Sequence, residues 1–194
     1  MPDIEEESQS ESTVSEVEEP STPEFSQDYS EFETIDDLVI STINEFELNP
    51  DAVSVAYHNY QTQTDYAYNE RESMLVGSTT KVGVARLYAD LIAEGAMTFQ
   101  TELPYSDSLY EPGAGRVTNG EKKATYPLYE LFYYSLSQSD NTAFNILFSY
   151  YQQIYGNVQQ SLMNLSELPF DHPEATTNNM ADAQMLLNIL IPIA

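Results

Sequence analysis

The feature that most limits what this chain can fold into is the placement of its charge. The first basic residue is Arg71, and residues 1–33 hold 12 acidic residues and no Lys or Arg. Seven serines and three prolines are mixed among those acids, and large apolar side chains are scarce. Such a stretch buries too little surface to offset the entropy of ordering it, so residues 1–33 are expected to form a disordered acidic spacer. Residues 34–194 remain as one domain with room for a sizeable core. They carry 20 acidic and 6 basic residues, a net charge of −14 (6 − 20). That field repels phosphate backbones and anionic lipid, so neither nucleic acid nor a membrane surface is an expected partner. The absence of cysteine excludes disulfides and thiolate metal sites. His58 and His172 fall in no metal-ligand spacing, and neither a metal nor another cofactor is expected.

Hydrophobic periodicity places the elements. Thr34 followed by Asp37 forms a capping-box pattern, and Ile35, Leu38, Val39, Ile43 and Phe46 recur at helical spacing until Asn49-Pro50. Val53, Val55 and Tyr57 alternate with polar or small residues, a half-buried strand, and Asp65–Asn69 forms a second strand across a polar turn. Gly77-Ser78 opens a helix whose apolar face is Val82, Ala85, Leu87, Tyr88, Leu91 and Ile92, with Gly95 beyond its end. A loop covers 104–120. Helices follow from Pro127, with Leu128, Leu131, Phe132 and Leu136 on one face, and from Asn141 to Tyr155, closed by Gly156. A last helix is expected from 176–179 through Met180, Ala183, Leu187 and Leu190 to Pro192. The resulting order is one helix, two strands, then helices only. The 15 tyrosines concentrate in Tyr126–Tyr155, where helical spacing makes them core and rim.

Two short motifs carry chemistry. Ser78 and Lys81, three apart at a helix start, project from one face. A serine hydroxyl needs a base to become a nucleophile, and a partly desolvated lysine supplies one because burial lowers its pKa. The helix dipole favours developing negative charge there, and the Ser78 backbone N–H is a natural oxyanion donor. A serine N-cap followed by a solvated lysine has the same spelling, so S-x-x-K alone decides little. Ser139-Asp140-Asn141, ordinary cap residues taken alone, lies at a break between two helices about sixty residues downstream.

In that order and at that distance the two motifs resemble those of class A β-lactamases and their penicillin-binding relatives, which combine S-x-x-K with S-D-N and K-T-G. The surroundings resemble the same family. Val53–Asn69 looks like the strand pair before its nucleophile. Tyr126-Pro-Leu-Tyr-Glu-Leu131 followed by Ser139-Asp-Asn-Thr-Ala143 looks like the helix and loop of its second motif, and Ala175-Thr-Thr-Asn-Asn-Met-Ala181 like the start of its next helix. The resemblance covers roughly residues 35–191. It implies an α+β, β-lactamase/transpeptidase-like fold, here the N-terminal strand hairpin plus the all-helical part. It implies a serine hydrolase that forms an acyl-enzyme at Ser78 with a small-molecule β-lactam or a peptidoglycan-like peptide. Lys81 would take the serine proton, Ser139 would relay a proton to the leaving nitrogen, and Asn141 would bind the substrate's amide side chain and orient Lys81. An extracellular or cell-surface bacterial location follows, with the acidic spacer leading from a cell-envelope tether.

Two departures from the family pattern qualify what is expected. No Lys or Arg follows Lys123, so K-T-G has no counterpart, and the sequence stops at Ile191-Pro-Ile-Ala194 where the C-terminal sheet strands would begin. The chain is therefore expected either to be truncated ahead of that element, the favoured reading, or to recruit strands from elsewhere, and in isolation to be weakly stable and inactive. No E-x-x-L-N segment occurs before Thr177, although Glu167, Asp171 and Glu174 lie in the region. Rapid β-lactam turnover is not expected, whereas slow acylation or D,D-peptidase-like chemistry is less affected. The alternatives are a non-catalytic cell-surface binding module that keeps the fold, and a D,D-peptidase or esterase-like relative.

Overall fold

The structure is a computed structural model and describes residues 30–168 and 180–191. The expected spacer lies almost entirely outside the described residues, as do His172, Asp171, Glu174 and the 175–179 stretch. Helix α1 spans Ile35–Glu45, and its start is the expected capping box: the Thr34 side chain accepts from the Asp37 N–H while Asp37 accepts from the Thr34 N–H. Replacing Thr34 by Ala leaves the Asp37 N–H without its side-chain acceptor, an expected loss of about 1 kcal/mol read as a lower urea midpoint.

Strands β1 (Val55–Asn59) and β2 (Thr64–Tyr68) form the expected antiparallel hairpin, in the register Val55↔Tyr68 to Asn59↔Thr64. The first strand starts later than the alternation of Val53 and Val55 implies, because Pro50–Ala52 close a 3-10 turn capped by the Asn49 side chain. His58 is a strand-face residue, its Nδ1 lying 2.7 Å from Oδ1 of its cross-strand neighbour Asp65.

Helix α2 (Thr80–Ala93) enters through a 3-10 turn at Gly77–Thr79. Its buried face is Lys81, Gly83, Val84, Leu87 and Tyr88, one step round from the face expected, so Val82 is exposed. Helices α4 (Leu128–Ser137) and α5 (Asn141–Ile154) stand where the periodicity places them, except that Leu136 faces solvent and Ser135 is buried. These three helices enclose the core. Tyr88 is its centre: fully buried, edge-on to Phe132 and Tyr151, with its hydroxyl donating to the Leu147 carbonyl at 2.8 Å.

The order "helices only" after the hairpin is corrected by three findings. The 104–120 region is edged by β4 (Glu102–Pro104), which pairs antiparallel with β5 (Thr125–Pro127), and it contains the short helix α3 (Arg116–Asn119). A helix not expected from the sequence, α6 (Val158–Ser166), follows Gly156, with the Asn157 side chain accepting from the Gln160 N–H. Met180 does not belong to the last helix. Met180–Ala181 form β6, paired antiparallel with β3 (Met74–Leu75), and the final helix is α7 (Ala183–Leu190), capped by Asp182. Tertiary pairing wins over helix propensity at Met180 because β3 offers it a backbone ladder just ahead of the nucleophile turn.

Candidate active site

The residues singled out by sequence converge at one end of α2. Ser78 sits exposed in the 3-10 turn, and Lys81, one turn further, is buried with about 5% of its surface accessible. The other half of the site comes from the break between α4 and α5. Ser139 there has φ +53°, a left-handed conformation that a non-glycine residue adopts at a conformational cost. The main chain turns sharply enough for Ser139 and Asn141 to meet α2 from the same side. Ser139 Oγ donates to Ser78 Oγ at 2.9 Å, joining residues far apart in the chain.

Lys81 Nζ is the hub. It donates to the Ser139 carbonyl at 2.6 Å, to Ser139 Oγ at 2.9 Å and to Asn141 Oδ1 at 2.8 Å, and it stands 5.8 Å from the centre of the Phe144 ring. Three donated bonds use every proton of an ammonium. Desolvation by burial lowers the Lys81 pKa below its usual value of 10.5, against the opposing pull of the Asp140 and Glu111 carboxylates. A lysine shifted in that direction, hydrogen-bonded through one hydroxyl to another, has the arrangement needed to accept a proton from a serine.

Asp140, between the two motif residues, does not face this chain. It is fully buried, and its carboxylate accepts four hydrogen bonds: Oδ2 from the N–H groups of Val117 and Thr118, and Oδ1 from the Thr118 hydroxyl and the Ala143 N–H. It therefore ties the start of α3 to the start of α5 beneath the site. Gly115 (φ +104°) makes this possible, since a Cβ there would overlap the Asp140 carboxylate. Gly115 of Gly113-Ala-Gly115 thus serves an internal carboxylate, whereas a Cβ at Gly113 would come within 3.0 Å of Asn141 Nδ2.

A cavity of about 490 Å³ opens beside these groups. Ser78, Lys81, Glu111, Asn141 and Asn145 line its polar end, and Phe144, Phe148, Leu162, Met163, Met185 and Leu186 are among the residues of its apolar end. Sequence reading missed Glu111 and Asn145. A signal for Asn145 existed, because it follows Asn141 by four positions and so shares its helix face. Glu111 left no such trace, lying in a loop far from either motif. Glu167 ends α6 in a left-handed turn (φ +54°). Among the described residues no cluster of three or more His, Cys, Asp or Glu gathers as a metal set.

A sequence model of the beta-lactamase enzyme family matches residues 34–194. A search of curated proteins finds no match. Among solved structures, a point mutant of PBP-A in an acyl-enzyme complex with penicillin G superposes with a TM-score of 0.62 at 18% identity, covering 80% of this chain and 60% of that one. A β-lactamase from Francisella tularensis gives 0.59 at 18% identity, again over 80% and 60%. The D-alanyl-D-alanine carboxypeptidase DacD from the same organism gives 0.56 at 18% identity, over 72% and 36%. These likenesses establish the β-lactamase/transpeptidase-like fold, and the chain spans no more than 60% of the length of any of the three.

Proposed function

The chain belongs to the beta-lactamase enzyme family, and from that premise we propose that it is a serine hydrolase domain forming an acyl-enzyme at Ser78 with a β-lactam or a peptidoglycan-type peptide amide. The observation that carries this reading is the continuous path Lys81 Nζ–Ser139 Oγ–Ser78 Oγ, built from 2.9 Å steps. In the neutral form of Lys81 the path runs in reverse. The Ser78 O–H bond breaks, its proton passes to Lys81 directly or through Ser139, and Oγ bonds to the substrate carbonyl carbon. The negative charge moves to the carbonyl oxygen, near the Ser78 backbone N–H at the helix start. When the C–N bond breaks, Ser139 delivers its proton to the leaving nitrogen and is reprotonated by the Lys81 ammonium. Water then cleaves the ester and restores Ser78. Asn141 Oδ1 orients Lys81, and Asn141 Nδ2, which also donates to the Pro112 carbonyl at 3.5 Å, has a second N–H for a substrate amide carbonyl.

A cell-wall peptide or a β-lactam is met outside the cytoplasm, so the domain 34–194 is assigned to the cell surface or the exterior, with residues 1–33 as a spacer from an envelope tether. The test is to incubate the complete natural gene product with a fluorescent penicillin, digest it and locate the adduct by tandem mass spectrometry. The expected adduct is on Ser78, within the tryptic peptide 72–81. A folded protein carrying no label on Ser78 overturns the acylation reading and favours the non-catalytic binding module.

A further inference from the structure

Glu111 stands in the polar end of the cavity with no part in the reaction as derived. Among the described residues it is the one carboxylate lining that cavity. Its position is built rather than incidental. The Glu111 N–H donates to the Thr142 hydroxyl at 3.2 Å, and the Glu111 carbonyl accepts from the same hydroxyl at 3.2 Å, so the main chain is tied to the first turn of α5. Its Oε2 accepts from Asn145 Nδ2 at 2.9 Å, and that amide also donates to the Leu109 carbonyl at 3.2 Å. Helix α5 thus fixes both ends of a residue whose carboxylate shares the cavity with the Lys81 ammonium.

Resting on the acylation reading above, we propose that Glu111 is a positioning residue for that step: its carboxylate, fixed by Asn145, balances the ammonium that forms when Lys81 takes the Ser78 proton. Two carboxylates favour the Lys81 ammonium, Asp140 first and Glu111 second, and of the two Glu111 lines the cavity. Ser139 and Asn141 present neutral polar atoms, Phe144 a ring face, and α6 and α7 turn uncharged side chains such as Gln159, Leu162 and Met185 to the cavity. Asp182 at the start of α7 is paired with Arg71. The Asp140 carboxylate is saturated by its four donors below the site. Burial lowers the Lys81 pKa, and the Coulombic fields of Asp140 and Glu111 oppose that lowering.

The sign of the expected effect follows. Acylation needs the neutral amine, and a nearby negative charge favours the ammonium, so removing the Glu111 charge increases the neutral fraction at any given pH. In Glu111→Gln the acid limb of the acylation rate against pH, measured with a fluorescent penicillin on the complete gene product, should move to lower pH by about half a unit to one unit. Glu111→Asp, which keeps the charge, should move it less. A structural role alone would change the rate without moving the limb. Wild-type label on Ser78 with a limb unmoved in Glu111→Gln overturns this inference and leaves the acylation reading intact; no wild-type label overturns both. If Glu111→Gln does not fold, Asn145→Ser, which frees the carboxylate, should move the limb in the same direction by a smaller amount, and an unmoved limb there is equally decisive.

Discussion

Replacing Lys81 by Met should lower the rate of Ser78 acylation by about 10³-fold, within the range that a positioned general base contributes. Three losses combine. The base itself disappears, Ser139 Oγ loses the group that reprotonates it, and Asn141 Oδ1 loses the donor that holds it. The acid limb of the acylation profile should vanish with the lysine, and the residual rate should be nearly flat in pH. The same variant has a stability signature. With its pKa lowered in the fold, Lys81 sheds its proton earlier in the native chain than in the unfolded one. Between the lowered native pKa and the unfolded value of 10.5 the unfolded state binds more protons, so stability rises with pH across that window and is penalised throughout the range below it. Methionine fills similar volume without a charge, and Lys81→Met should remove this slope. Chemical denaturation at a series of alkaline pH values reads it directly; an unchanged slope, or acylation within threefold of wild type, would show that Lys81 is not the base.

What the sequence revealed and what it hid divide along the range of the interactions involved. The capping box at Thr34 and Asp37, the hairpin around Gln61–Thr64 and the helical turn at Gly77–Thr79 that leads into α2 are set by neighbours a few positions apart, and the structure has all three. The convergence of Ser78, Lys81, Ser139 and Asn141 was legible only because two short motifs occur at a distance that resembles a known family. Helix α6 was missed although Val158, Leu162 and Leu165 share a face, because Gln159, Gln160, Ser161 and Asn164 dilute its short apolar pattern. Strands β3 and β6 are too short for alternation to register, and each exists only because the other supplies its hydrogen bonds. Glu111 reached the cavity through bonds to Thr142 and Asn145, more than thirty positions away, which no local pattern encodes.

Asp140 is the strongest instance of that long-range dependence, and its substitution should have the largest effect on the fold. Reading it as an ordinary helix cap captures only the bond from the Ala143 N–H. The other three donors, the Val117 and Thr118 N–H groups and the Thr118 hydroxyl, come from α3. Asp140→Ala would bury the N–H groups of Val117, Thr118 and Ala143 with nothing to accept them, each leaving a penalty of about 1–3 kcal/mol before relaxation, while the Thr118 hydroxyl keeps the Thr142 hydroxyl at 2.9 Å. Asn is the sharper probe because it keeps the shape. Its amide group must either present N–H to the Val117 and Thr118 N–H groups or turn that clash toward Ala143 and the Thr118 hydroxyl. Asp140→Asn should therefore destabilise the chain by about 2–4 kcal/mol, lowering Tm by roughly 5–15 °C. Ser139 and Asn141 flank this anchor directly, so loosening it releases the left-handed turn that brings both to Lys81. Penicillin labelling of Ser78 should then fall well below wild type even at temperatures where circular dichroism shows the variant folded. An Asn variant as stable as wild type, or one that labels normally while folded, would mean that the turn is held by Ser139 and its neighbours alone and that the buried carboxylate is not what aligns the two halves of the site.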